Sequence, residues 1–102
     1  MLLPRVMEYK MVTAIVLINA ETNKINDLAQ ELTEIDGVRE VFSVAGRYDL
    51  AAIVSVREND QLAVVISDKM RHLDGIKSSE TLIAFRMYSQ TELRAGLDFG
   101  LD

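Results

Sequence analysis

The chain has no cysteine among its 102 residues, which excludes a disulfide framework, a thiolate metal site and a cysteine nucleophile. It has one histidine, His72, and without a second imidazole or a thiolate a dedicated transition-metal site lacks ligands. Long apolar runs are missing too. Runs such as Ala14–Ile18 and Ala51–Val54 fall far short of the ~18–20 residues that cross a bilayer. Met1-Leu2-Leu3-Pro4-Arg5 lacks the charged start, apolar block and cleavage site of a secretion signal. No basic cluster exists either: 11 Lys and Arg against 16 Asp and Glu give a charge of −5, and the cations are scattered from Arg5 to Arg94. Counterion release needs several phosphates neutralised together, so the composition argues against direct nucleic-acid contact by this chain. These absences lead to the expectation of a cytoplasmic protein with no membrane contact.

What is present is apolar material, 49% AVILMFWYC, in a length suited to one domain. At this size a chain buries roughly 65% of its unfolded surface, enough for a single core. Met11–Ile18 is β-branched and apolar at successive positions, as a strand covered on both faces reads. Ile25, Leu28, Ala29, Leu32 and Ile35 then mark one face of a helix starting near Thr22 or Asn23 and ended by Gly37. Val38–Val44 reads as a shorter edge strand, and Leu50–Val56 as a second strand apolar on both faces. Asn59 is the expected cap of one amphipathic helix carrying Leu62, Val65, Ile66, Met70 and Leu73, stopped at Asp74-Gly75. Glu80–Met87 supplies the fourth strand. Ser89-Gln90-Thr91-Glu92 has the spacing of a capping box, and Leu93, Leu97 and Leu101 follow at helical intervals. The expected organisation is an arm over residues 1–10, a domain over 11–88 and a short helical tail over 89–102.

An internal repeat underlies the βαββαβ order. At a spacing of 38 residues Ile15 maps to Ile53, Leu28 to Ile66, Leu32 to Met70, and Asp36-Gly37-Val38 to Asp74-Gly75-Ile76. Two similar βαβ halves predict an α+β, ferredoxin-like domain: a four-stranded antiparallel sheet with two helices on one face. Two helices cover one face only, yet Ile15, Leu17, Ala51 and Ile53 place apolar residues on the other. Monomers rarely expose large apolar patches, so the strands predict a homodimer packed sheet to sheet, a dimeric α/β barrel.

Chemistry-bearing residues are few. His72 has Asp68 four residues before it and Asp74 two after, the makings of a metal pair or acid–base dyad, but it lies off the apolar stripe and reads better as a solvated helix residue. Phosphate-cradling glycine loops, serine elbows and H-E-x-x-H patterns are absent from the sequence. Gly46-Arg47-Tyr48-Asp49 is richer, joining a glycine, a cation, a phenol and a carboxylate between two apolar strands. Arg47 and free backbone amides suit a carboxylate and Asp49 suits an ammonium, which together complement an amino-acid zwitterion. The competing interpretation is a decorated hairpin turn.

Val41-Phe42-Ser43-Val44-Ala45-Gly46-Arg47-Tyr48-Asp49-Leu50 and Gly75-Ile76-Lys77-Ser78-Ser79-Glu80-Thr81 together resemble the effector-binding (RAM) module of the Lrp/AsnC regulators. The resemblance spans about Met11 to Met87. Its markers are a G-x-Y-D turn and a Gly-Val-x-x-Thr-x-Thr lead into the last strand, where Ser79 stands for the first threonine and keeps its hydroxyl. The resemblance implies a non-enzymatic module, without cofactor or metal, that binds an amino acid or similar effector. It implies ligand contacts from Gly46, Arg47, Tyr48, Asp49, Ser79 and Thr81. It also implies homodimers assembled into rings of dimers, with a full-length Lrp/AsnC regulator as a candidate partner. Ten residues before the first strand cannot hold a helix-turn-helix, so the chain resembles a stand-alone form involved in transcriptional or metabolic regulation. The rival from another class is a small dimeric α/β-barrel enzyme, a cofactor-free oxygenase or isomerase, with His72 and the tyrosines Tyr9, Tyr48 and Tyr88 as its acid–base candidates. A third is an assembly module with an empty site.

Overall fold

In the computed structural model, which describes residues 11–88, the run after Met11 forms β1, Val12–Ala20. Ala14, Val16, Ile18 and Ala20 are buried and the residues between them half-buried, so β1 does lie apolar on both faces. A 3-10 turn at Thr22–Lys24 leads into α1, Ile25–Thr33, whose Leu28 and Leu32 stack one turn apart against the sheet, fully buried. β2 is Val38–Ser43 and β3 is Leu50–Val56, the latter alternating buried and half-buried like β1. After α2, Asn59–Ala63, come a π-helical segment at Val64–Lys69, a 3-10 turn at Met70–His72, and β4, Ile76–Ala84.

The strands form one antiparallel sheet ordered β2-β3-β1-β4. With two βαβ halves and the helices on one face, this is the expected ferredoxin-like arrangement. The strands apolar on both faces take the centre, and the more polar β2 and β4 take the edges. Ile15 pairs directly with Ile53, its repeat mate, which places the pseudo-dyad of the two halves through the middle of the sheet. The buried core joins Ala14, Val16 and Ile18 of β1 and Leu50, Ala52 and Val54 of β3 to Leu28, Leu32, Leu62, Val65 and Met70 of the helical layer. Alternation sends Ile15, Leu17, Ala51, Ile53, Phe42 and Leu82 to the opposite face, where Phe42 and Leu82 are 50% and 43% exposed.

Four local expectations are corrected. β4 runs Ile76–Ala84 instead of Glu80–Met87, because backbone pairing with β1, from Ala20 opposite Ile76 to Thr13 opposite Ala84, sets its extent. Side-chain hydropathy had suggested a later start, yet Phe85 is 98% exposed beyond the ladder. Gly37 does not end α1, which stops at Thr33; it adopts φ +102° in the turn into β2. Asn59 is the first residue of α2 rather than its cap: Glu58 is the cap, and Gln61 Oε1 accepts its N–H at 3.1 Å and that of Arg57 at 2.9 Å. Finally, the second helix is not uniform. The N–H of Met70 donates to the carbonyl of Val65, five residues back, and this wide turn buries both Val65 and Met70. The expected arm over 1–10 and helix over 89–102 lie outside the described residues. No helix among those described is long and apolar enough to cross a membrane.

Candidate functional site

The turn between β2 and β3 sits at the C-terminal end of β1. Gly46 adopts φ +138°, a conformation that suits glycine, and a Cβ built there would meet nothing within 4 Å, so backbone geometry and not crowding selects the residue. The Asp49 N–H donates to the Ile18 carbonyl at 2.9 Å, the Asp49 carbonyl accepts the Val44 N–H at 3.0 Å, and Asp49 Oδ2 accepts the Ala20 N–H at 2.9 Å. Two of these bonds tie the turn to β1, and the third closes the turn across its own base. Asp49 is half-buried in consequence.

Tyr48 reaches across to the edge strand, where its phenol donates to the Glu80 carboxylate. Its pKa is pushed above the usual phenol value, first by that hydrogen bond, then by burial and the charge of Glu80, with Arg47 pulling the other way. The hydroxyl is therefore held as a donor. Arg47 Cζ lies 5.9 Å from the Tyr48 ring centroid, a cation–π distance. Arg47 and Glu80 are both exposed, so one tyrosine separates an accessible guanidinium from an accessible carboxylate.

The six residues expected to meet a ligand are not brought together within one chain. Gly46, Arg47, Tyr48 and Asp49 share the turn. Ser79 and Thr81 pair opposite Ile18 and Val16, whose side chains point to the helical layer, whereas Glu80 pairs opposite Leu17 on the other face. Ser79 lines a cavity of about 230 Å³ with Val16, Ile18, Ile66, Met70 and Arg71. A more open cleft of about 460 Å³ lies at the other end of the sheet, between Met11, Gly37, Val56, Arg57 and Lys69. Sequence reasoning missed Glu80. Its only signal was its position between Ser79 and Thr81, and the pairing that carries it to Tyr48 is not written in a local pattern.

The second grouping disperses. His72 is exposed with Nδ1 on the Asp68 carbonyl, and Asp74 is engaged by the Lys24 ammonium, which also lies 3.8 Å from Glu21. That contact holds the Asp74 carboxyl below, and the Lys24 amine above, their ordinary values, through the hydrogen bond first and the charge second. Among the described residues no three His, Asp or Glu side chains gather as a metal ion would need. The turn and the facing edge strand thus place a cation, a hydrogen-bond donor and an anion on an open surface.

A family model for the Lrp/AsnC ligand binding domain matches residues 13–93. The chain belongs to this family. An uncharacterised HTH-type transcriptional regulator of Pyrococcus abyssi is 35% identical to it over 72 residues, 71% of this chain and 46% of the relative. The Lrp/AsnC domain described here spans about half the length of the curated relatives it matches. Of the solved structures, a Thermus thermophilus protein superimposes with a TM-score of 0.72 at 38% identity, over 78% of this chain and 99% of its own. A Neisseria meningitidis transcriptional regulator in complex with L-Met superimposes with a TM-score of 0.71 at 12% identity, over 88% of this chain and 59% of its own. At that identity the likeness is one of fold alone. The relatives of this Lrp/AsnC domain are thus transcription regulators.

Proposed function

We propose that this Lrp/AsnC domain is a non-enzymatic sensor of an amino acid or a similar small effector, working as a homo-oligomer in transcriptional or metabolic regulation. The observation that carries the reading is the Arg47–Tyr48–Glu80 cluster, exposed, of mixed charge and attached to a turn pinned by Asp49. A zwitterion presents the complementary charges. The L-Met bound to the Neisseria regulator of the same fold supports an amino acid as the ligand class.

The apolar face carrying Phe42, Ile53, Ile15 and Leu82 favours a sheet-to-sheet homodimer, since burial of such a patch is worth roughly 25 cal/mol per Å². Ser79 and Thr81 lie on the side of the sheet away from Glu80, so a site using them with Gly46, Arg47, Tyr48 and Asp49 draws on more than one subunit. That requirement favours a ring of dimers and gives the effector its leverage: it stabilises whichever assembly completes the site. A full-length Lrp/AsnC regulator is the partner this reading suggests, in the cytoplasm.

The test is a thermal-shift screen of the twenty standard amino acids, with light scattering on every hit and on Arg47→Ala, an exposed substitution that leaves the core intact. A ligand at a hundredfold its Kd stabilises by about 2.7 kcal/mol, a rise of several degrees for a domain of this size. Hits that change oligomer size and vanish in the variant are expected; silence across the screen overturns the reading.

A further inference from the structure

Given an amino-acid effector at this turn, the next question is which carboxylate meets its ammonium group. Asp49 is the choice the sequence suggests, being adjacent to Arg47 and Tyr48. The geometry argues otherwise. Asp49 Oδ2 already accepts the Ala20 N–H at 2.9 Å, and its own N–H is bound to Ile18 at 2.9 Å. Its remaining lone pairs belong to a half-buried side chain whose orientation that bond sets, so rotating it toward a ligand leaves the Ala20 N–H, on a buried residue, without its acceptor and loosens the turn that presents Arg47.

Glu80 has none of these commitments. It is exposed on the edge strand, opposite Leu17, and its one side-chain hydrogen bond among the described residues is from the Tyr48 phenol. An ionised carboxylate accepts at about four lone-pair positions, so one phenol leaves room for an ammonium. Arg47 completes the arrangement. It makes no ion pair among the described residues and lies 5.9 Å from the ring of the same tyrosine. Cation and anion thus both neighbour a single tyrosine side chain, and both face solvent. A ligand with a carboxylate at one end and a primary ammonium close by satisfies both at once through charge-assisted hydrogen bonds.

We propose that Glu80 holds the effector's ammonium group, that Arg47 holds its carboxylate, and that Asp49 is a positioning residue that sets the turn. Selectivity for amino acids over acids lacking the amine then resides in the edge strand, outside the G-x-Y-D turn. The assignment rests on the effector reading above.

Calorimetric titration of the full chain with each standard amino acid and with its 2-hydroxy counterpart, which keeps the carboxylate and replaces the ammonium by a neutral hydroxyl, tests it. Glu80→Gln retains an oxygen to accept the Tyr48 phenol and removes the charge; Asp49→Asn retains an acceptor for the Ala20 N–H. The wild type is expected to prefer amino acid over hydroxy acid by about tenfold or more. Glu80→Gln should erase that preference by weakening the amino acid alone, and Asp49→Asn should leave the ratio unchanged. A preference that survives Glu80→Gln, or disappears in Asp49→Asn, overturns the assignment while leaving the sensor reading in place. Binding by no amino acid to the wild type overturns both.

Discussion

In the first βαβ half α1 is a regular helix that buries Leu28 and Leu32 four residues apart, whereas the second half buries Val65 and Met70 five apart by widening into a π turn. The edge strands differ as well. Val38 pairs with Val54, so its repeat mate Ile76 would be expected opposite Val16; it lies opposite Ala20 instead, four residues further along, although both edge strands share a register shift after that first pair. A shared hydrophobic pattern therefore dictates which residues face the core, while the surface they meet dictates how the backbone delivers them. The displacement of β4 sets Glu80 opposite Leu17 and within reach of Tyr48.

The contrast can be broken most severely by single-residue deletions. Removing exposed Gln30 from α1 turns Leu32 by about 100° away from its stripe, and the loss should resemble a buried Leu→Ala change, about 2–5 kcal/mol by denaturant unfolding. Removing exposed Ser67 from the π segment places Val65 and Met70 four apart, the ordinary helical spacing, and should cost less than about 1 kcal/mol. Equal losses would refute the account of the wide turn.

The two repeat-related glycines sharpen the comparison at a smaller scale. Both Gly37 and Gly75 sit at φ +102°. A Cβ on Gly37 would meet two side chains of the packed layer, Val65 Cγ2 at 3.0 Å and Val56 Cγ1 at 3.1 Å, whereas one on Gly75 would meet only the half-buried Lys24, its Cβ at 3.1 Å and its Cδ at 3.2 Å. Gly37→Ala should therefore cost about 2–4 kcal/mol and Gly75→Ala about 1–2 kcal/mol in chemical denaturation. At the junction of the halves, Asp49→Ala strands the Ala20 N–H and should cost about 1–3 kcal/mol, with faster hydrogen exchange at Ala20 as the specific signature.

The smallest effect belongs to the exposed Lys24–Asp74 pair, which links the two helix connections. Asp74 has its folded pKa lowered, so its contribution is present above the ordinary carboxylate range and is lost as pH falls through the depressed value. Lys24 has its folded pKa raised, so its contribution is present below the ordinary amine range and is lost as pH rises through the raised value. The melting difference between the protein and Asp74→Asn should be small and flat at neutral pH, fade in acid, and shrink with added salt.

Much of the architecture was legible because side-chain periodicity is local. Short runs apolar at successive positions marked β1 and β3, the 3.6-residue stripe marked both helical segments, and the Asp-Gly pairs marked the two turns whose positive φ only glycine adopts easily. The start of β4 was not legible, since Lys77, Ser78 and Ser79 look like a loop until a ladder of backbone hydrogen bonds with β1 claims them. The turn at Gly46–Asp49 was legible as a cluster of unlike polar groups, but the employment of Asp49 was not: a carboxylate beside an arginine reads as a ligand contact when the backbone N–H it satisfies lies 29 residues earlier.

By itself the sequence determined the class of fold, the duplicated halves, the central strands and the polar turn, because each depends on residues within a few positions of one another. Only the tertiary structure decided the register of β4, the π turn under Val65 and Met70, and the engagement of Asp49 with the Ala20 N–H and of Glu80 with Tyr48. Those depend on hydrogen bonds and contacts between segments tens of residues apart, and the free energy of such pairings is set by the whole sheet and not by any stretch of the chain.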